Sequence, residues 1–332
     1  MPNSPGKPMI EAHDLTQTFR GRGRDKKPVK AVDGVSLHVN PGEIIGFLGP
    51  NGAGKTTTLR MLTTLLKPTS GSARVAGFDV ATQPVEVRRH IGYVSQVGSA
   101  GSNAHAGEEL MDHGMLYGLR KKDAQRRAHE LFEQFSLEGL WDREPKNMSG
   151  GQRRRLDIAM GLIHSPGLVF LDEPTTGLDP QARSNLWDHI RSLREDQGTT
   201  IFLTTHYLDE ADALADRIIV IDHGRIIASD TAENLKSSVS GDHVSLRLDD
   251  ATRQADAAEI ITRVMSGADA STTPDPKLSG DLIEADVYNS GHVLPDLIRA
   301  LDEKSIGIAD LNVRRPTLDD VFLSLTGRSL RD

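Results

Sequence analysis

The run Gly49-Pro50-Asn51-Gly52-Ala53-Gly54-Lys55-Thr56 has the spacing G-x-x-x-x-G-K-[ST] and constrains the fold more than any other stretch. A loop of this kind works only between a strand and a helix. Its glycines let consecutive backbone N–H groups close around phosphate oxygens, and the helix N-terminus adds partial positive charge. Residues 43–48 read as a short buried strand and residues 57–62 as the opening of a helix, so the flanks supply that context. In this setting Lys55 is expected to reach the β- and γ-phosphates, and Thr56 to offer its hydroxyl to Mg²⁺. The chain is therefore expected to bind a nucleoside triphosphate.

Composition excludes several classes. The 332 residues are enough for two domains, each with its own core. A net charge of −8 argues against a general nucleic-acid-binding surface. Without cysteine there is no disulfide or thiol chemistry. The first eight residues have no apolar segment of the secretory kind, and no run approaches the ~20 apolar residues of a spanning helix. The expectation is a soluble protein whose link to a membrane runs through a partner.

Along the chain, residues 9–19, 35–39, 72–76 and 91–95 read as strands, with 20–30 as a basic loop and 98–107 as a flexible polar stretch. Residues 108–119, 122–135 and 152–163 read as helices, with Leu110, Met111, Met115, Leu116 and Leu119 as core. The apolar runs 167–171 and 199–203, separated by a helix at 181–194, read as strands of a parallel sheet buried on both faces. The first of these runs into Asp172 and Glu173, which places two carboxylates at the sheet's ligand-binding edge. Asp172 there suits Mg²⁺, and Glu173 suits an attacking water. Residues 148–152, Met-Ser-Gly-Gly-Gln, open a helix with the small, Gly-rich start that suits an anion.

Taken in order, these pieces resemble the nucleotide-binding subunit of an ATP-binding-cassette (ABC) transporter over roughly residues 9–236. Residues 49–56 match the Walker A loop, Gln96 the Q-loop, 149–152 the signature and 168–173 the Walker B strand. Asp179 matches the D-loop and His206 the switch histidine. The resemblance implies an α/β fold: a P-loop NTPase cassette over 1–236 with a RecA-like core and a helical subdomain at about 97–165. It implies Glu173, His206 and Gln96 as catalytic residues. Nucleotide contacts carry over to Gly49, Asn51, Gly52, Ala53, Gly54, Lys55, Thr56, Thr57, Ser149, Gly150, Gly151, Gln152 and Asp179, and Mg²⁺ contacts to Thr56, Gln96 and Asp172. Two cassettes pair head to tail in this family, so Ser149 and Gly151 would meet the γ-phosphate held by a second copy. Met148 stands where the family has leucine, a volume-conserving exchange. Phe19 is the only aromatic near the adenine position; it either stacks on the base or belongs to the core. The polar 98–107 stretch departs from the family's more apolar segment. Arg153, Arg154 and Arg155 are read as steering phosphate or as solvated and paired on the helix.

Residues 237–241 read as a linker to a C-terminal domain at 237–332. There the pattern β (243–249), α (251–265), β (268–273), β (281–288), α (292–304), β (307–313) suggests a small ferredoxin-like α+β unit. A closing helix carries Leu318, Val321, Phe322 and Leu325 at i, i+3, i+4, i+7, a stripe to be buried at an interface; ligand sensing is the competing role for this domain. The ending at 315–327, together with 175–180 and 207–212, resembles the daunorubicin-resistance type of exporter ATPase. The implied function is the ATP-hydrolysing motor of a drug or lipid exporter, using ATP and Mg²⁺. It would pair with a second copy of itself and with separate membrane permease subunits at the cytoplasmic face, without nucleic acid. The alternative is a soluble ABC-type ATPase acting on ribosomes or DNA.

Overall fold

The computed structural model describes residues 7–20, 27–98, 100–101, 104–239, 242–268, 276–279, 282–287 and 290–327. The chain divides into two compact units, Met1–Ala232 and Glu233–Asp332. The first unit begins with β1 (Ile10–Phe19), β2 (Val29–Val39), β3 (Ile44–Leu48), α1 (Lys55–Leu62), β4 (Ser70–Val75), β5 (Phe78–Asp79), α2 (Pro84–His90) and β6 (Ile91–Val94). Helices α3 (Ala106–Leu116), α4 (Lys121–Gln134) and α5 (Gly150–Leu162) follow. The unit closes with β7 (Leu168–Asp172), α6 (Pro180–Gln197), β8 (Thr200–Thr205), α7 (Leu208–Leu214), β9 (Arg217–Asp222) and β10 (Arg225–Asp230).

Two sheets form from these strands, one of order β2-β1-β4-β5 and one of order β10-β9-β3-β8-β7-β6. In the larger sheet β9, β3, β8, β7 and β6 run parallel, and β10 is an antiparallel edge. Every residue of β3, β7 and β8 is buried, which explains their unbroken apolar runs. The period of two divides them between two cores. Ile45, Phe47, Leu168, Phe170 and Phe202 face the antiparallel sheet, with Phe202 5.4 Å from Phe47 and 5.6 Å from Phe170. Ile44, Val169, Leu171, Ile201 and Leu203 face the layer that includes Leu110, Leu131, Phe135, Met148 and Leu156.

Two expectations shift here. The loop placed at 20–30 is shorter, because β2 already begins at Val29 and pairs with Phe19 in a long hairpin; Arg22, Arg24 and Lys26 lie outside the described residues. Helix α3 ends at Leu116, which is 85% exposed, and Met115 is 36% exposed, whereas Leu110 is fully buried. Six residues at 100° each carry Leu116 well off the buried face, so it is not core.

The second unit opens with α8 (Ala232–Val239) and continues through β11 (Asp242–Leu248), α9 (Gln254–Ala268), β12 (Lys277–Ser279), β13 (Leu282–Val287), α10 (Ser290–Glu303), β14 (Ile308–Arg314) and α11 (Leu318–Thr326). Its sheet has the order β12-β13-β11-β14, antiparallel throughout. Val244, Leu246, Ile260, Ile261, Ile283, Leu297 and Leu301 form its core. Most of the stretch read as a linker is helix instead. The hydroxyls of Ser237 and Ser238 donate back to the carbonyls of Glu233 (2.9 Å) and Leu235 (2.8 Å), which keeps those serines compatible with α8. Of the strand expected at 268–273, Ala268 belongs to α9 and residues 269–273 lie outside the described residues; β12 is at Lys277–Ser279. In α11 Leu318, Val321 and Phe322 are buried, but Leu325 is 42% exposed, so the stripe is one residue shorter than its spacing suggests.

Candidate active site

The parallel register sets the site. Leu48 lies beside Thr205, Thr204 beside Asp172, and Leu171 beside Val94. Four strands therefore end level, and the residues that follow them (Gly49, His206, Glu173 and Gln96) emerge at one carboxyl edge.

The loop from Gly49 to Gly54 wraps the start of α1. Gly54 has φ +106°, and a Cβ there would stand 2.5 Å from the Ala31 carbonyl, so only glycine fits. Lys55 is 5% exposed. Its Nζ donates to the carbonyls of Gly49 (2.7 Å) and Pro50 (3.1 Å) and lies 3.6 Å from Glu173 Oε1. Burial pulls the Lys55 ammonium below its ordinary range, while Glu173 and Asp172 oppose that shift. An open concavity of about 340 Å³ lies over this loop, lined by Asn51, Gly52, Lys55, Thr56, Thr57, Gln96 and Glu173 among others.

Asp172 is 2% exposed and fixed by two hydroxyls: Thr56 Oγ1 donates to its Oδ1 at 3.2 Å and Thr204 Oγ1 at 2.7 Å. Glu173 turns the chain with φ +45°, a left-handed conformation that costs a non-glycine residue about 1–2 kcal/mol. Its N–H is shared between the carbonyl and the hydroxyl of Thr204, both at 3.1 Å, which holds the turn. The Glu173 carboxylate gathers the other predicted groups. Gln96 Nε2 donates to Oε2 at 2.9 Å, Thr176 Oγ1 donates to the same oxygen at 3.1 Å, and His206 Nδ1 stands 3.2 Å away, out of line for a hydrogen bond. A carboxylate in this setting can take a proton from a water that the amide and imidazole help to orient.

Ser149, Gly150, Gly151, Gln152 and Asp179 occupy a different edge. Ser149 caps α5: its Oγ accepts from Gln152 N–H at 3.2 Å and its own N–H donates to Gln152 Oε1 at 3.0 Å. Ser149 and Gly150 are exposed, and Gly151 and Gln152 half-buried. Asp179 caps α6, accepting from Ala182 N–H at 2.9 Å, and is exposed as well. None of these five lines the concavity over Lys55. Phe19 does not line it either; it ends β1 at 41% exposure.

Sequence reasoning missed four contributors. Thr204 ties Asp172 to Glu173, and its only signal was a hydroxyl placed two residues before His206. Thr176 supports the Glu173 carboxylate. Glu210, fully buried in α7, accepts from Trp187 Nε1 at 3.2 Å, and burial pushes its carboxyl above the ordinary range. Arg154, read as a steering or solvated charge, is 7% exposed and donates to the carbonyls of Ser95, Asp172 and Pro174.

A nucleotide loop, paired carboxylates at a parallel-sheet edge and an exposed Gly-rich helix start define an ATP-hydrolysing cassette. Comparison with known proteins places it. The family model described as ABC transporter matches residues 32–176. The daunorubicin/doxorubicin resistance ATP-binding protein DrrA of Streptomyces peucetius is 44% identical over 97% of this chain and 94% of its own length. The doxorubicin resistance ATP-binding protein DrrA of Mycobacterium tuberculosis is 44% identical over 96% of this chain and 93% of its own. Among solved structures, a dimeric bacterial ATP-binding cassette in a post-hydrolysis state, bound to ADP and phosphate, superposes with a TM-score of 0.61 at 25% identity. It covers 67% of this chain and 98% of that one. The chain belongs to the ABC transporter family, as an ATP-binding subunit that hydrolyses ATP.

Proposed function

We propose that this chain is the motor of an exporter that moves a drug-like or lipid-like compound through separate membrane subunits, working as a head-to-tail dimer of itself. The observation that carries the reading is the division of the site. The residues around Lys55 are buried and interlocked, whereas the Ser149 edge is exposed and bonded only to its own helix. A second copy turned head to tail would bring that edge to the nucleotide.

In this reading Lys55 holds the β- and γ-phosphates, which would draw it away from Glu173, and Gly49, Asn51, Gly52, Ala53, Gly54 and Thr57 supply the surrounding loop. The Thr56 hydroxyl, the Asp172 carboxylate and the Gln96 amide oxygen form an all-oxygen donor set that fits Mg²⁺, whose role there is to neutralise charge developing on the phosphate oxygens. Glu173 takes the proton from the attacking water as the γ-phosphoryl group leaves ADP. His206 and Gln96 hold Glu173 and the water in line. Ser149 and Gly151 of the second copy donate to the γ-phosphate, and its Gln152 and Asp179 shape that edge, so the shared phosphate clamps the pair until hydrolysis.

Support for membrane partners comes from apolar exposure beside the Q-loop. Val97, next to Gln96, is 95% exposed, Leu116 is 85% exposed, and a groove is lined by Leu65, Arg88, Tyr93, His113 and Tyr117. Among the described residues no helix is long and apolar enough to cross a membrane, so a permease would hold the chain at the cytoplasmic face. The resistance proteins among its relatives favour export over action on ribosomes or DNA. The test is efflux of a fluorescent anthracycline from cells carrying the chain together with a candidate membrane permease. Efflux lost with Lys55→Ala supports the reading; unchanged efflux with that variant contradicts it.

A further inference from the structure

Helix α5 begins at the exposed Ser149 edge, yet one turn further in it buries two charges, Arg154 at 7% exposure and Asp157 at 4%. Spaced i, i+3, they share one face of the helix. Both reach the segment that carries Gln96. Arg154 Nη1 donates to the Ser95 carbonyl at 2.6 Å, and Asp157 Oδ1 accepts from the Ala100 N–H at 2.9 Å. Between them Gly98 turns with φ +85°, and a Cβ there would stand 2.7 Å from Asp157 Oδ2, so the loop lies tight on the carboxylate. The rest of the guanidinium goes to the Walker B exit. Nη2 donates to the Asp172 carbonyl at 3.1 Å and Nε to the Pro174 carbonyl at 2.7 Å.

A buried arginine loses hydration that only close partners replace, and an apolar side chain would fill the same space without that loss. Burial pulls the Arg154 pKa down, opposed by Asp157, Glu210 and Asp172. What the planar fork provides, and a hydrocarbon does not, is a fixed geometry among three segments: α5, residues 95–98 and residues 172–174. Gln96, held in the second segment, donates to Glu173 in the third. From Ser149 to Asp157 the helix runs only about 12 Å, short enough to move as a rigid rod.

We propose that Arg154 and Asp157 are positioning residues that make the placement of Gln96 on Glu173 follow the placement of α5. Engagement of the Ser149 edge by one nucleotide is then transmitted, within the same chain, to the carboxylate serving the other. This rests on the reading above, in which Gln96 orients the water and the Ser149 edge meets the nucleotide of a second copy.

The experiment is a double-mutant cycle on the full chain, measuring kcat for ATP and nucleotide affinity by equilibrium binding. Arg154→Met and Gln96→Ala are compared singly and together. Arg154→Met is expected to lower kcat about tenfold with nucleotide affinity within about twofold of wild type. In the Gln96→Ala background it should lower kcat by less than about twofold further, because the residue it acts through is gone. Arg154→Lys, with its charge but a single donor group, should fall between. If Arg154→Met does not fold, Gly98→Ala carries the same cycle, since its methyl drives residues 95–98 off Asp157 while leaving the buried charges in place. Equal losses in the wild-type and Gln96→Ala backgrounds would overturn the positioning role. Gln96→Ala with wild-type kcat would instead remove the assignment of Gln96 on which it stands.

Discussion

On one side of the first unit Lys55, Asp172 and Glu173 are 5%, 2% and 8% exposed and are tied to one another through Thr56, Thr204 and the loop carbonyls. On the other side Ser149, Gly150 and Asp179 are exposed, and the Ser149 and Asp179 side chains bond only to the first turns of their own helices. Both sides are built from helix N-termini, yet in the proposed reading only the first is assembled within one chain. In that reading the buried side binds phosphate and directs water, and its groups, already fixed by one another, leave little reorganisation at reaction. The exposed side, as the proposed meeting point for a second copy's nucleotide, needs only preformed N–H donors and a free approach, which a capped helix start supplies. The proposed function thus divides the same chemistry into a preorganised half and a waiting half.

The largest effect expected from that division is at Glu173. Glu173→Gln should lower hydrolysis by about 10³-fold while leaving ATP affinity within about threefold of wild type, since the amide keeps the shape but cannot take the proton. Light scattering should then find an ATP-trapped dimer. Hydrolysis near the wild-type rate would move the base elsewhere and remove the contrast between the two sides. Next comes Ser149→Arg, expected to cost about 10²-fold in kcat by blocking the exposed edge. Nucleotide binding to the isolated chain should be unaffected, because Ser149 does not line the Lys55 concavity. If affinity falls with kcat, the two edges are not separate. Chelating divalent cations should abolish turnover by removing the ion proposed at Thr56 and Asp172; turnover in excess chelator would break that assignment. The smallest effect belongs to Phe19→Ala. At 41% exposure and outside the concavity, it should change ATP affinity by about threefold or less. A tenfold loss would place the adenine against it and extend the preorganised half.

The preorganised half was largely legible in the sequence because its signals are local. Fully buried parallel strands are apolar over most of their length, and the phosphate loop needs glycines and a lysine at fixed spacing. What joins these pieces was not legible. Thr204 reads as one more strand residue until register sets it beside Asp172. Arg154 sits in a triple of arginines whose spacing alone does not show which one faces inward; Arg153 is exposed, and only the tertiary fold buries its neighbour. In the second unit the strand Lys277–Ser279 has a single apolar residue and is wholly exposed, so no periodicity marks it. Leu325 met the helical spacing but stands near the end of α11, where the buried face runs out.

The central claim is that a working site takes one half from each of two chains. Mixing Lys55→Ala with Ser149→Arg tests it most directly. In a mixed dimer one composite site collects both lesions and the other is intact. The account predicts two inactive homodimers and a mixture whose ATPase activity rises toward about a quarter of wild type, as half of random pairs hold one intact site. An inactive mixture in which mixed dimers are shown to form, or a single variant that hydrolyses ATP at the full rate as a monomer, would contradict it.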